Sequence, residues 1–326
     1  VFLLDKPLYL RYVMTWPQYC RIRISILDTR QVNNVTTTTL SELALRLKDG
    51  TLVPYLGPGV LSNVTETGSG ESIPADSDSL IVAMNGGKPM APRLMFEFAR
   101  AAMDMELKKG RNFVYRFLKE TYGDRQWTRA AVHDWLAVCR PRYIVDINRD
   151  TQLQDSFADT PHTLVRGIAR IGGTDYRFRI HHYNGSEYHE IDQHAVNPDL
   201  PILFKPMGSP RPDPTFIASD ADYVDYITEL MGGFAIPDFL KRHRLNKQYL
   251  LLGMRLNRDT ERMVLSDIVY GADKPTGWAL IPDPTDKERR FCRKIGIEVI
   301  DADSSDLLSI SSTVKDLSHT DASIGC

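Results

Sequence analysis

The chain has 326 residues, of which 42% are hydrophobic and 25% charged, and its formal net charge is -2. This composition excludes a disordered, fibrous or membrane class, and the length allows one large α/β domain with insertions or two modest domains. A dedicated nucleic-acid binder needs a concentrated basic field, which a nearly balanced charge does not supply.

The opening run Val1-Phe2-Leu3-Leu4 is broken by Asp5 and Lys6, too early for a secretory signal. Because the first residue is not Met, residues 1–13 are expected to be upstream translated sequence with Met14 as the start, and residues 1–39 are assigned as an N-terminal extension. No apolar run reaches the roughly 20 residues of a membrane helix. Cys20, Cys139, Cys292 and Cys326 lie far apart and form no Cys-x-x-Cys pair, so they suggest neither a zinc knuckle nor a disulfide framework. A cytoplasmic protein without membrane attachment is the expectation.

Leu40, Leu43, Ala44 and Leu47 recur at helical spacing, and Gly50 follows where a helix often ends. Residues 51–56 then read as a strand in which Pro54 marks a start or an edge, followed at once by Gly57-Pro58-Gly59. Apolar runs of strand length return at 143–147, 202–204, 249–252, 278–281 and 297–300, with helical patterns at 222–231, 259–270 and 286–294. Most of these runs are continuous, as in strands buried on both faces. The alternation predicts an α/β fold with a doubly wound, mostly parallel, Rossmann-like sheet over residues 40–303.

Two stretches exceed what a crossover needs. Between the first and second strands lie about 80 residues, read as a helical insertion at about 63–139: an irregular part at 63–92 with one strand at 79–83, then helices at 94–99, 113–118 and 130–136. A second, polar insertion is placed at about 158–200, where residues 176–180 alternate as an antiparallel strand does. Residues 304–326 lack a sustained apolar face and read as a flexible tail.

Several positions carry chemistry. The backbone amides around Gly57-Pro58-Gly59 could meet phosphate at a helix start, although the turn alone is also an ordinary strand ending, and neither a full Gly-x-Gly-x-x-Gly nor a P-loop is present. Asn148 and Asp150 follow the second strand, where they could act in a polar site or cap the next helix. Lys205, Arg255 and Arg258 stand at or just beyond strand ends, where they could meet phosphate or simply be solvated. His181, His182, His189 and His194 lack a helical i, i+4 pair and nearby cysteines, so no metal site is assigned.

Five segments in chain order resemble those of SIR2-like proteins. Leu56-Gly57-Pro58-Gly59-Val60 is similar to the family's glycine-rich turn, and residues 144–150 to its strand ending in Thr-x-Asn-x-Asp. Residues 205–209 resemble its Lys-x-His-Gly segment, 216–223 the acidic-Tyr stretch that follows, and 250–259 the strand-Gly-Tyr-Ser-x-x-Asp segment. The resemblance spans roughly residues 40–303 outside the insertions and is closest to prokaryotic SIR2-like domains without a zinc ribbon.

That resemblance implies an NAD site across the carboxyl ends of the central strands, with NAD as substrate or ligand and no zinc. It assigns Asn148 and Asp150 to catalysis, and Gly57, Pro58, Gly59, Val60, Gly208 and Gly253 to the cofactor; Arg255 joins the cofactor residues by its place just beyond a strand end. Arg255 replaces the family's common Ser, so its role does not carry over. In active members nicotinamide leaves the ribose, and water or an acyl-lysine captures the sugar, which calls for a base. Met207 occupies the place of the family's histidine, and a thioether takes no proton at neutral pH. The implied function is therefore NAD hydrolysis to nicotinamide and ADP-ribose with weak or no activity. The alternative is a catalytically silent NAD or ADP-ribose sensing or scaffold module, with a protein partner or a second copy receiving the signal. His162, His181, His182, His189 and His194 are the histidines that a folded-back insertion could bring to the site.

Overall fold

The computed structural model describes residues 39–169 and 175–310. The readings made for residues 1–38, including Met14 and Cys20, and for 311–326, including Cys326, lie outside them.

The first amphipathic pattern forms helix α1 (39–48), with Leu40, Leu43, Ala44 and Leu47 all buried. Next come β1 (Leu52–Leu56), α2 (Ser77–Met84), α3 (Phe98–Lys109), α4 (Arg111–Lys119) and α5 (Ala131–Cys139). The central part holds β2 (Tyr143–Asp146), α6 (Gln152–Ser156), β3 (His162–Gly167), β4 (Phe178–Tyr183), β5 (Tyr188–Glu190) and β6 (Ile202–Lys205). A short hairpin of β7 (Gly208–Ser209) and β8 (Thr215–Phe216) precedes α7 (Asp220–Gly232) and α8 (Asp238–His243). The chain continues through β9 (Gln248–Leu252), α9 (Asp259–Ile268), β10 (Gly277–Leu280), α10 (Asp286–Ile295) and β11 (Ile297–Ile300) to a last helix, α11 (304–310).

Nine strands make one sheet in the order β11-β10-β9-β1-β2-β6-β3-β4-β5. Every pairing from β11 to β3 is parallel, and β4 and β5 extend the edge in antiparallel fashion. Strands β1, β2 and β6 are buried at every position, which is why their sequences run apolar without alternation. Their side chains still divide by period two. Leu52 and Leu56 of β1, Ile144 of β2 and Leu250 and Leu252 of β9 join one core with residues of α1, α2, α3 and α5. Val53 and Tyr55, Tyr143 and Val145, Tyr249 and Leu251 join the opposite core with α7, α8 and α9. The fold is thus the expected mixed α/β, Rossmann-like arrangement, with the helical insertion packed on one face.

Four details differ from the sequence reading. Residues 79–83 are not a strand but the middle of α2: Asp76 accepts the Ser79 amide at 2.8 Å as an N-cap, and Leu80, Ile81 and Met84 form its buried side. The helix expected at 94–99 begins only at Phe98. Residues 162–167, assigned to the polar insertion, form the buried strand β3 paired in parallel with β6; His162, Thr163 and Arg166 hid it, because buried strands seldom carry so many polar groups. The expected tail opens with α11, whose Leu307 is buried in the first core.

Candidate functional site

The order in which strands are added to the sheet reverses at β1, with β2 on one side and, much later in the chain, the parallel β9 on the other. Open α/β sheets leave a crevice beyond the carboxyl ends of the strands at such a point. Two adjoining cavities lie there. The inner one, about 50 Å³, is bordered by Asn148, Arg149, Met207 and Tyr223, with Tyr122 and Phe98 on its helical side. The outer one, about 460 Å³, is bordered by Gly59, Gly253, Arg255, Asn257 and the start of α2. Pro58, Ala75, Ser77, Arg258 and Glu261 border both.

The glycines after β1 and β9 face each other. The Gly57 amide donates to Leu252 O at 2.9 Å and the Gly59 amide to Gly253 O at 2.8 Å. A Cβ on Gly57 would stand 2.2 Å from Met254 Sδ, and one on Gly59 2.9 Å from Gly253 Cα. Gly253 has φ +67°, and a Cβ there would meet Val60 N at 2.4 Å. Close backbone packing therefore accounts for glycine at all three places. The amides of Gly57 and Gly59 are engaged within the chain, Pro58 has none, and Val60 is buried with its amide 3.3 Å from Gly57 O.

Beneath this turn lies a charged cluster. Lys205 Nζ is 2.6 Å from Asp146 Oδ2, and both side chains are fully buried. Asp146 Oδ1 accepts the Asn148 amide at 3.0 Å and Asn148 Nδ2 at 2.9 Å, while Nδ2 also donates to Gly57 O at 3.1 Å. Asn148 is thus held between the ends of β1 and β2, and its Oδ1 accepts no hydrogen bond among the described residues. His133 of α5, fully buried, brings Nε2 to 3.7 Å from Asp146 Oδ2, and neither of its ring nitrogens has a hydrogen-bond partner among the described residues. Burial opposes ionisation of Asp146, but the attraction of Lys205, with help from His133, outweighs it and holds the carboxyl below the usual carboxylate range. Lys205 is accordingly a partner of Asp146 rather than a group offered to phosphate.

Asp150 follows the helix-cap alternative in part. Its Oδ1 accepts the Gln152 amide at 2.7 Å at the start of α6, while Oδ2 is buried without a hydrogen-bond partner among the described residues. Burial pushes this carboxyl up, and Lys205 pulls it only partly back. Asp150 borders a separate cavity with Arg125, Arg129 and Arg211, so it does not share the Asn148 cavity.

The remaining expected positions separate similarly. Met207 is buried and borders the inner cavity. Gly208, at φ +82°, sits in the β7–β8 hairpin, where a Cβ would strike Thr215 O at 2.0 Å. Arg255 borders the outer cavity and is tethered through Nε to Glu288 at 3.3 Å and through Nη1 to Pro282 O at 2.6 Å. Arg258 reaches across to Phe96 O and to Asp78 Oδ1, the latter at 3.0 Å. None of His162, His181, His182, His189 and His194 borders either cavity. His162 lies on β3 with Nε2 2.8 Å from Tyr188 Oη, and burial lowers its pKa to about 4.

Several residues of the site were not singled out from the sequence. Asp146 carries a usable signal, since it is a charge within an apolar strand and such charges are rarely buried without a partner. Arg149 donates through Nε and Nη2 to Ile217 O at 2.9 and 2.6 Å and through Nη2 to Tyr223 Oη at 3.0 Å, closing one side of the inner cavity. His133 and Glu261 sit in helical patterns that look like ordinary amphipathic surface, and nothing in their spacing marks them.

Residues 142–300 match the family model described as the SIR2-like domain. The match runs from β2 to β11 and takes in four of the five segments noted in the sequence; the turn after β1 lies before it and joins the site through the packing against Gly253. No curated protein matches the chain.

Proposed function

We propose that this chain, which carries a SIR2-like domain over residues 142–300, binds NAD across the two adjoining cavities and hydrolyses it slowly to nicotinamide and ADP-ribose. The observation that carries the reading is the juxtaposition of Asn148 in the inner cavity with a guanidinium-bordered outer cavity at the reversal point of the sheet. The outer cavity lies within the range of roughly 300–1,000 Å³ usual for small-molecule sites, and Arg255, Asn257 and Arg258 suit a diphosphate with its riboses. The glycine turn contributes shape rather than amide donors, because its N–H groups at 57 and 59 are already engaged. Asn148 has one free acceptor, suited to orienting a ribose hydroxyl or a water. Bound NAD would supply a ribose–nicotinamide bond that water can cleave.

A second reading, a silent module that binds NAD or ADP-ribose, is favoured by Met207, a residue unable to take a proton where the resemblance implies histidine. Two measurements separate the readings. Thermal unfolding with NAD and with ADP-ribose should show stabilisation that grows with the logarithm of ligand concentration; no shift at millimolar ligand removes both. Nicotinamide release is then compared among wild type, Asn148→Ala and Met207→His. Hydrolysis predicts turnover in wild type and a loss of about 10²-fold in Asn148→Ala. Turnover confined to Met207→His establishes the silent module.

A further inference from the structure

Hydrolysis in this site needs a group that can accept a proton, and Met207 is not one. The acids around the cavities are nearly all engaged elsewhere. Glu97 Oε1 accepts the Thr260 amide at 2.9 Å and Thr260 Oγ1 at 2.6 Å, Asp78 pairs with Arg258 at 3.0 Å, and Asp146 with Lys205 at 2.6 Å. Glu261, in the first turn of α9, is different. It borders both the inner and outer cavities, and its carboxylate makes neither a hydrogen bond nor an ion pair among the described residues. The inner cavity it shares with Asn148 has about 50 Å³, room for a water but not for a ring.

We infer that Glu261 is the proton acceptor of this site, taking the proton of a water oriented beside Asn148 in place of the histidine the chain lacks. The inference rests on the NAD-hydrolysis reading. In the balanced step the water oxygen bonds to the anomeric carbon as the carbon–nitrogen bond breaks. The pyridine nitrogen keeps that electron pair, nicotinamide leaves neutral, and the water proton passes to the Glu261 carboxylate. That proton returns to solvent through the outer cavity.

The surroundings suit this task. Burial raises the Glu261 carboxyl to about 7; Arg258, Arg149 and Arg262 pull it down, and Glu97 pushes it up. Tyr55 and Tyr223 also face it, and both stay protonated, since burial raises each phenol. A base matched to neutral pH is the most effective proton acceptor there. Arg258 and Arg149 are turned toward Asp78 and Ile217 O and form no ion pair with Glu261 among the described residues.

The test uses the full chain and two isosteric or conservative variants, Glu261→Gln and Glu261→Asp, whose folding is checked by circular dichroism. NAD binding is followed by calorimetry at pH 7 in two buffers of different ionisation enthalpy, and nicotinamide release is followed from pH 5.5 to 8.5. Wild type should bind NAD, exchange part of a proton on binding, and release nicotinamide with a limb near pH 7. Glu261→Gln should still bind NAD but lose the exchanged proton, the limb, and about 10²- to 10⁴-fold of the rate; Glu261→Asp should recover part of it. A Glu261→Gln protein with the wild-type rate and pH profile overturns the inference and leaves the NAD reading standing. Wild type that binds NAD without releasing nicotinamide overturns the hydrolysis reading and the proton-acceptor role with it, and leaves NAD binding standing. Wild type that does not bind NAD overturns both.

Discussion

Asp146 and Glu261 are two acids at one site with opposite fates. Asp146 is buried against Lys205 and stays ionised below the usual carboxylate range; Glu261 is partly buried without a hydrogen-bond or ion-pair partner among the described residues, and burial raises it from 4.5 to about 7. Their effects on stability differ in sign. The stability tied to Asp146 is present above its unfolded value and is lost as pH falls through the depressed folded one. For Glu261 the folded state holds its proton more tightly than the unfolded one. Its contribution is full below pH 4.5 and is lost as pH rises to about 7. Denaturant unfolding of wild type should therefore weaken by about 2–3 kcal/mol from this residue between pH 5 and 8. Glu261→Gln should remove that fall, leaving the variant the more stable protein at pH 8; equal slopes for the two proteins contradict the assignment. Asn148 and Met207 were legible from ordered segments of sequence. Glu261 was not, because a glutamate in the first turn of a helix is commonplace, and only the fold reveals that it faces a cavity.

At the scale of elements, the turns after β1 and β9 interlock. Val60, Gly59 and Gly253 approach so closely that Gly253→Ala would place a carbon 2.4 Å from a backbone nitrogen at a positive φ, and Gly59→Ala one 2.9 Å from a backbone carbon. Each should lower unfolding free energy by about 1–3 kcal/mol, more for Gly253→Ala, and diminish the thermal shift given by NAD. Gly68→Ala, where the added carbon meets nothing within 4 Å, should stay within about 0.5 kcal/mol of wild type. Both turns were legible in the sequence, but the close packing between them that calls for glycine was not. A strand followed by Gly-x-Gly looks the same whether the glycines admit a phosphate or another strand's turn. The parallel strands themselves were legible because burial on both faces makes them continuously apolar; α2 was misread because its short apolar run, Leu80-Ile81-Val82-Ala83, fits either state.

For the molecule as a whole, the sheet separates two cores, one lined by the helical insertion and one by the helices after β8. Such an arrangement predicts a gradient in native-state hydrogen exchange. Amides of β1, β2, β6 and β9, fully or almost fully buried, should exchange last, and those of β5, at the antiparallel edge and largely exposed, first. Rapid exchange in β1 or β2 contradicts the topology. Class and strand sequence could be read in advance, while strand order could not. Placing β6 between β2 and β3 depends on recognising β3, and its buried His162 and Arg166 disguise it as surface.

The linkage from Lys205 through Asp146 and Asn148 to Gly57, continued by Gly59 onto Gly253, ties the tips of β6, β2, β1 and β9 into one piece. None of these tips can retreat without exposing or unpairing a buried charge or amide. The chamber therefore has a fixed floor, and its aperture is set from above. An inner space of about 50 Å³ cannot take a pyridine ring as it stands. Enlargement falls to the wall made by α2, α3 and the Arg258 bridge to Phe96 and Asp78. The helical insertion is in that sense the wall of the site, and the sheet its frame.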